Sequence, residues 1–69
     1  MQVRVRYPDH LKIRVLVEAN PKRRGRKNHR RFQKLLDAKR PLAVAEAVER
    51  GITRGDLIFD AERGFIGMF

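Results

Sequence analysis

The sequence alternates most regularly in Leu11-Lys12-Ile13-Arg14-Val15-Leu16-Val17. The odd-numbered positions of this stretch are all apolar, whereas Lys12 and Arg14 are charged. A period of two with β-branched side chains predicts a strand that buries one face and exposes the other. Residues 3–7 alternate in the same way ahead of the turn-forming Pro8-Asp9-His10. They would pair with the first stretch as an antiparallel hairpin, or residues 1–10 would form a loose leader or an edge strand.

The chain after this strand predicts a basic loop and two helices. Asn20-Pro21 ends the strand, because proline cannot donate to a β-ladder, and residues 20–28 then form the loop. Asn28 is the predicted N-cap of the first helix, which Pro41 ends. Pro41 also suits the first turn of a second helix, which Gly51 would end as a left-handed cap.

The last part of the chain admits two interpretations. In the favoured one, residues 57–59 and 65–69 are strands joined by a turn at 60–64, because Leu-Ile-Phe is strand-prone and short. In the other, Thr53 and Asp56 form a capping box at the start of a short helix.

These elements predict a small single α+β domain over residues 1–69. Its antiparallel sheet would combine the N-terminal strand or hairpin with a C-terminal hairpin and pack against two helices. The alternative is a winged-helix-like fold with a short third helix at residues 54–63.

The charge of the chain is concentrated in one segment. Eight of the thirteen residues from 22 to 34 are basic and none is acidic, while the whole chain has a net charge of +9. The basic residues are Lys22, Arg23, Arg24, Arg26, Lys27, Arg30, Arg31 and Lys34. Such a cluster repels itself, and a polyanion would relieve the repulsion and release its own counterions.

This segment predicts a nucleic-acid-binding protein that contacts mainly the phosphate backbone. Sequence specificity should be low, because only base contacts read sequence and no set of base-reading side chains is evident beyond the arginines. DNA is slightly preferred over RNA, because base-stacking aromatics are absent from the basic region.

The sequence is also compatible with two other interpretations, a helix-turn-helix motif and a protein-binding function. A helix-turn-helix is indicated by small, turn, cap and core residues at matching positions, namely Ala47, Gly51, Ile52-Thr53 and Leu57. Against it, the next core position falls on Asp60, and residues 53–64 carry three acids against two bases. The chain could also be a small adaptor or inhibitor whose basic segment binds an acidic surface of a host protein.

The sequence gives little support to other classes of protein. Without cysteine the chain has no disulfide and no thiolate metal site, and its apolar runs are too short for a membrane span. Asp56, Asp60 and Glu62 match no metal-binding loop. We therefore expect no enzyme activity, no catalytic or metal-binding residues, no cofactor and no membrane partner. The absence of a recognisable signal peptide predicts a cytoplasmic protein. The C-terminal strand, as a sheet edge, could join two copies in a homodimer.

Several short motifs between residues 11 and 67 resemble those of a group of small proteins of bacterial phages and mobile elements. The motifs are Ile13 to Val17, Asn20-Pro21-Lys22-Arg23, Gly25, Arg31-Phe32, Val44, Glu46, Gly51, Asp56-Leu57, Asp60 and Gly64-Phe65-Ile66. The resemblance implies a phage or bacterial setting, but the group has no established activity. Ala43 stands where the group often has a hydroxyl residue before the second helix.

Overall fold

The computed structural model describes residues 7–69. Its elements are β1 (Lys12–Val15), α1 (Lys27–Ala38), β2 (Leu42–Ala43), α2 (Val44–Glu49), α3 (Arg54–Glu62) and β3 (Ile66–Met68). The antiparallel strands and the helices confirm the predicted α+β class. The predicted strand at residues 3–7 lies outside the described residues except for Tyr7, which is not in a strand.

β1 is the central strand of the sheet, which has the order β2-β1-β3. Ile13 pairs with Leu42 on one side and with Met68 on the other. Ile13 is buried, whereas Lys12 and Arg14 are exposed, as the alternation of the sequence predicts. Because β1 supports both neighbouring strands, this short segment organises the whole described sheet.

One hydrophobic core joins all of these elements. On α1, Phe32 and Leu35 are buried, and the Phe32 ring lies edge-on to that of Phe65 with 6.4 Å between centroids. The other buried apolar residues are Ile13, Leu42, Val44, Ala47, Ile52, Leu57 and Ile66. Burying apolar surface stabilises such a core by about 25 cal/mol per Å² and is its main source of stability. The packing of this core also sets the position of α1, with its cations, relative to α3.

Helix α1 begins earlier than predicted. Its N-cap residue is Arg26 and Asn28 lies in its first turn, so the prediction of Asn28 as the N-cap is wrong. At the other end Lys39 adopts a positive φ of 54° and its N–H bonds the Leu36 carbonyl. Pro41 then leads into β2 and not directly into a helix, because α2 begins only at Val44.

The prediction of a C-terminal hairpin is wrong, and the alternative of a third helix is confirmed by α3. The capping box forms: the Asp56 N–H donates to Thr53 Oγ1 at 3.0 Å, and the Thr53 N–H donates to Asp56 Oδ2 at 3.1 Å. Leu57 is fully buried on this helix. The strand propensity of residues 57–59 is overridden because the helix satisfies its backbone locally and still buries Leu57.

Helices α2 and α3 are joined by a tight turn at residues 50–53. Gly51 has φ 93°, which favours glycine because an L side chain is strained there. The Ile52 N–H donates to the Ala47 carbonyl at 3.0 Å, and the Ile52 side chain is buried. The order of elements is therefore the one that the helix-turn-helix interpretation requires. Within residues 7–69, no helix has the length and apolar character needed to cross a bilayer.

Candidate nucleic-acid interface

Asn20 fastens the basic loop to α1. Its Oδ1 accepts a hydrogen bond from the Lys22 N–H at 3.0 Å, and its Nδ2 donates to the His29 carbonyl at 2.8 Å and to Gln33 Oε1 at 3.3 Å. Asparagine side chains commonly organise turns in this way. A hydrogen-bonded turn at residues 23–26 then leads into α1. The loop arginines are therefore placed beside the start of the helix.

Lys22, which the sequence assigns to the phosphate-binding set, is paired with a carboxylate inside the fold. Its Nζ forms an ion pair with the Asp60 carboxylate, and the two side chains are only 8% and 3% exposed. The ammonium also lies 4.4 Å from the ring centroid of Phe59 and 5.3 Å from that of Phe65. Its charge is thus buried and already neutralised within the chain.

The Lys22–Asp60 pair also explains an unusual core position. Asp60 occupies the place where the helix-turn-helix pattern expects an apolar residue, and it is 2% exposed. Burial raises the pKa of the Asp60 carboxyl, and the hydrogen bond and charge of Lys22 lower it only in part. A buried carboxylate is tolerated where a cation pairs with it, so Asp60 is no longer an argument against the helix-turn-helix.

Arg31 joins α1 to α3 and is only partly available to a ligand. Its Nε and Nη2 donate to the two carboxylate oxygens of Asp56, with Nη2 at 2.9 Å from Oδ1. Burial alone would raise the pKa of Asp56, but the hydrogen bonds from Arg31 and Thr53 lower it more, so the net shift is downward. One bidentate edge of the guanidinium is therefore occupied by this chain's own carboxylate.

The side chain of Lys34 connects α1 to the turn that follows α2. Its Nζ donates to the Arg50 carbonyl at 2.6 Å, which satisfies a carbonyl group at the end of α2. The side chain stays exposed, and an ammonium has three donors, so Lys34 can still contact an anion.

The other five predicted residues remain open to solvent. They are Arg23, Arg24, Arg26, Lys27 and Arg30, and all of them are exposed. None forms an ion pair with any residue that the structure describes. They lie between residues 23 and 30, from the loop into the first turn of α1, where the positive end of the helix dipole adds to their potential. These five residues are called the basic surface below.

The ion pairs also change the charge that α3 presents. The sequence predicted a net negative helix, but Asp56 and Asp60 face Arg31 and Lys22 inside the fold. Of the three acids in residues 53–64, only Glu62 is exposed. The electrostatic objection to placing α3 near phosphate is therefore removed.

A groove of about 460 Å³ separates the basic loop from α3. Its lining residues come from three parts of the chain and are Pro21, Lys22, Arg23, Arg26, Asn28, Phe59, Arg63 and Phe65. Phe59 is 44% exposed, and the Arg63 guanidinium carbon lies 4.5 Å from its ring centroid. The Oδ1 atom of Asn28 is buried and has no hydrogen-bond partner among the described residues.

The sequence does not indicate Phe59, Arg63 and Asn28 as residues of this site. If residues 57–59 are interpreted as a strand, no relation of Phe59 to the basic loop is visible. The signal that could have found it is the helical period: Leu57 and Phe59 are about 200° apart on a helix, so a buried Leu57 implies an exposed Phe59. No comparable signal connects Asn28 with α3.

The acidic residues do not form a metal site. Within the described residues, no group of three His, Cys, Asp or Glu side chains is arranged to hold a metal ion. Asp56 and Asp60 are each engaged by a cation of this chain, so their carboxylates serve the fold.

Comparisons with known proteins assign no relative to this chain: no family model, no curated protein and no solved structure matches it. The resemblance to small proteins of phages and mobile elements therefore remains a prediction.

Proposed function

We propose that this chain binds nucleic acid, mainly through phosphate contacts made by the basic surface, with Lys34 at its margin. The observation that supports the proposal is selective pairing. Lys22 and Arg31 are neutralised by carboxylates, whereas the five residues of the basic surface are exposed and have no such partner among the described residues. Uncompensated neighbouring cations cost folding stability, and a polyanion relieves that cost while releasing its own counterions.

The chemistry of these residues fits phosphate well. Four of the five are arginines, whose planar guanidinium groups bind phosphate oxygens through two parallel hydrogen bonds. The Lys22–Asp60 ion pair and the Asn20 hydrogen bonds hold the loop in place, so less entropy is lost on binding. The preference for DNA over RNA stays a prediction, and it did not take into account that Phe59 lines the groove beside Arg23 and Arg26.

The first prediction concerns salt. If five phosphates are neutralised, the slope of log K against log salt should be about −4.5 for duplex DNA and about −3.5 for a single strand. Fluorescence anisotropy with labelled oligonucleotides at several NaCl concentrations measures this slope. Replacing Arg23, Arg24 and Arg26 together by Gln should reduce its magnitude by roughly three-fifths.

A matched control removes the same charge elsewhere. Lys12, Arg14 and Lys39 are exposed, and replacing these three by Gln lowers the net charge from +9 to +6, as the arginine triple variant does. In the control variant, the slope of log K against log salt should keep most of its magnitude. Equal losses in the two variants would mean that overall charge, and not the basic surface, drives binding. A pull-down from nuclease-treated lysate that retains one stoichiometric acidic protein would instead support an adaptor function.

A further inference from the structure

We propose that the groove between the basic loop and α3 binds an unpaired nucleobase, so that the ligand of this chain is single-stranded nucleic acid. The inference rests on the proposed function and names the form of nucleic acid that the same surface takes.

The first supporting observation is the setting of Phe59. Phe59 is 44% exposed on α3, and its ring centroid lies 4.4 Å from the Lys22 ammonium and 4.5 Å from the guanidinium carbon of Arg63. The Lys22 side chain is buried, whereas Arg63 is exposed. Bases stack on aromatic rings and on guanidinium planes, so a base would stack on the exposed Arg63 guanidinium that lies over Phe59 or take its place on the ring.

The second observation is the charge around the ring. Arg23 and Arg26 of the basic surface line the same groove as Phe59. A positively charged groove that follows the sugar–phosphate backbone, combined with an aromatic side chain, is the usual way in which proteins bind single strands without strong sequence preference. The groove therefore provides cations for the phosphates and an aromatic surface for the base that they flank.

The third observation is the Asn28 amide. Its Oδ1 is buried at the groove without a hydrogen-bond partner among the described residues, whereas buried polar atoms are nearly always paired. If the Asn28 side chain turns its Oδ1 into the groove, the N–H groups on the Watson–Crick edge of a base would supply the missing donor. In a duplex that edge is already paired and the faces of the base are already stacked, so only an unpaired base can use both Asn28 and Phe59.

The test compares three ligands whose individual strands all carry the same number of phosphates, so that the duplex carries twice as many as either single strand. They are an oligothymidylate, its duplex with oligodeoxyadenylate, and an oligomer of abasic sites. Wild-type protein should bind the oligothymidylate more tightly than the abasic oligomer. The substitution Phe59→Leu keeps an apolar side chain without a π-face, and it should weaken oligothymidylate binding by roughly tenfold without changing abasic binding.

Phe69 supplies a matched control. It is 52% exposed and lies under the Arg14 guanidinium at 4.8 Å, but it does not line the groove. Phe69→Leu should therefore leave all three affinities unchanged. Because the chain contains no tryptophan, Phe59→Trp and Phe69→Trp each introduce a single tryptophan, whose fluorescence is excited selectively over that of Tyr7. Oligothymidylate should quench the fluorescence of Phe59→Trp strongly and that of Phe69→Trp weakly, and circular dichroism checks that the variants fold.

The outcomes separate this inference from the proposed function. Salt-dependent binding with equal affinity for the oligothymidylate and the abasic oligomer would overturn the base site and leave phosphate binding intact. A preference for the duplex that Phe59→Leu does not alter would also overturn it. No binding of any of the three ligands would overturn both proposals.

Discussion

The Lys22–Asp60 pair is the most buried of the ion pairs described in this chain. Removing two charges from water is costly, and their mutual attraction repays the cost only when both partners are present. The two rings around the ammonium add cation–π attraction. The pair therefore holds the basic loop to α3, and its loss should affect stability before it affects binding.

This reasoning gives a prediction for Lys22 and Asp60. Asp60→Ala should lower the free energy of unfolding by about 3 kcal/mol or more, because it leaves a buried ammonium unpaired. The double variant Lys22→Met with Asp60→Leu should lose much less, since neither charge remains. Urea unfolding followed by circular dichroism measures both. If Lys22→Ala instead weakened nucleic-acid binding at unchanged stability, the ammonium would be a ligand contact.

Ala43 leaves the start of α2 incompletely capped. Its backbone N–H donates to Glu46 Oε1 at 3.2 Å, which is one half of a capping box. Alanine has no side-chain acceptor for the other half. Arg40 Nη2 also lies 2.8 Å from Glu46 Oε2, and this hydrogen bond, with that of the Ala43 N–H, lowers the pKa of Glu46 to about 2.

A hydroxyl at position 43 should complete this cap. Ala43→Ser should raise the free energy of unfolding by about 1 kcal/mol, because its oxygen can accept from the Glu46 N–H. In a domain of this size that corresponds to about 4–8 °C in Tm. Ala45→Ser, within the first turn of the same helix, is the control and should give no gain. An unchanged Tm in Ala43→Ser would show that the backbone there is already satisfied.

At the scale of elements, two ion pairs tie α3 to the basic segment. Lys22 and Asp60 connect it to the loop, and Arg31 and Asp56 connect it to α1. Together with the Asn20 hydrogen bonds, they make loop, α1 and α3 one unit. The walls of the groove are therefore held at a set spacing, which favours binding by a preformed site.

The Arg31–Asp56 link predicts how acid acts on the fold. The pKa of Asp56 is lower in the folded chain than its ordinary value of about 4, so its contribution to stability is present above that pH and is lost as the pH falls below it. The lowered pKa of Glu46 has the same effect, so its contribution to stability is lost as the pH falls towards about 2. Asp60 acts in the opposite direction, because its raised pKa makes the folded state the better proton acceptor.

Asp56→Asn isolates the Asp56 contribution. Asparagine keeps an oxygen for the Thr53 N–H but cannot ionise, so the variant should be less stable than wild type at pH 7 and closer to it at pH 3. Thermal unfolding at both pH values gives the comparison. A wild-type chain that loses no more stability than Asp56→Asn between these pH values would exclude Asp56 as a source of acid sensitivity.

At the scale of the whole molecule, a chain of 69 residues must keep a small core folded against a net charge of +9. Small domains bury a limited share of their surface and are marginally stable, so self-repulsion along residues 22–34 matters. β3 lies at one edge of the described sheet, and the homodimer through the C-terminal strand stays a prediction.

Screening should therefore stabilise the molecule. Raising NaCl from about 20 to about 200 mM shortens the range of repulsion between exposed charges, and we expect Tm to rise. Replacing Arg23, Arg24 and Arg26 by Gln should raise Tm at low salt and flatten this dependence. Differential scanning calorimetry provides the measurement, with the Lys12, Arg14 and Lys39 triple variant as control. A lower Tm in the arginine variant would show that these arginines support the fold.

Local patterns of the sequence determine much of the fold. The alternation of residues 11–17 predicted β1. Gly51 predicted the left-handed end of α2. The sequence also shows directly that the positive charge is concentrated in residues 22–34. These features depend on neighbours within a few residues, and short-range sterics and periodicity determine them.

Only tertiary packing decided the rest. The local signals at residues 53–63 favoured a strand over a capped helix, and the packing that buries Leu57 on α3 selected the helix. Lys22 meets Asp60 across 38 residues and Arg31 meets Asp56 across 25, which separates the neutralised cations from the open ones. The same packing brings Phe59 to the basic loop. Contacts at such separations depend on how the elements dock, and no local pattern along a single chain records that docking.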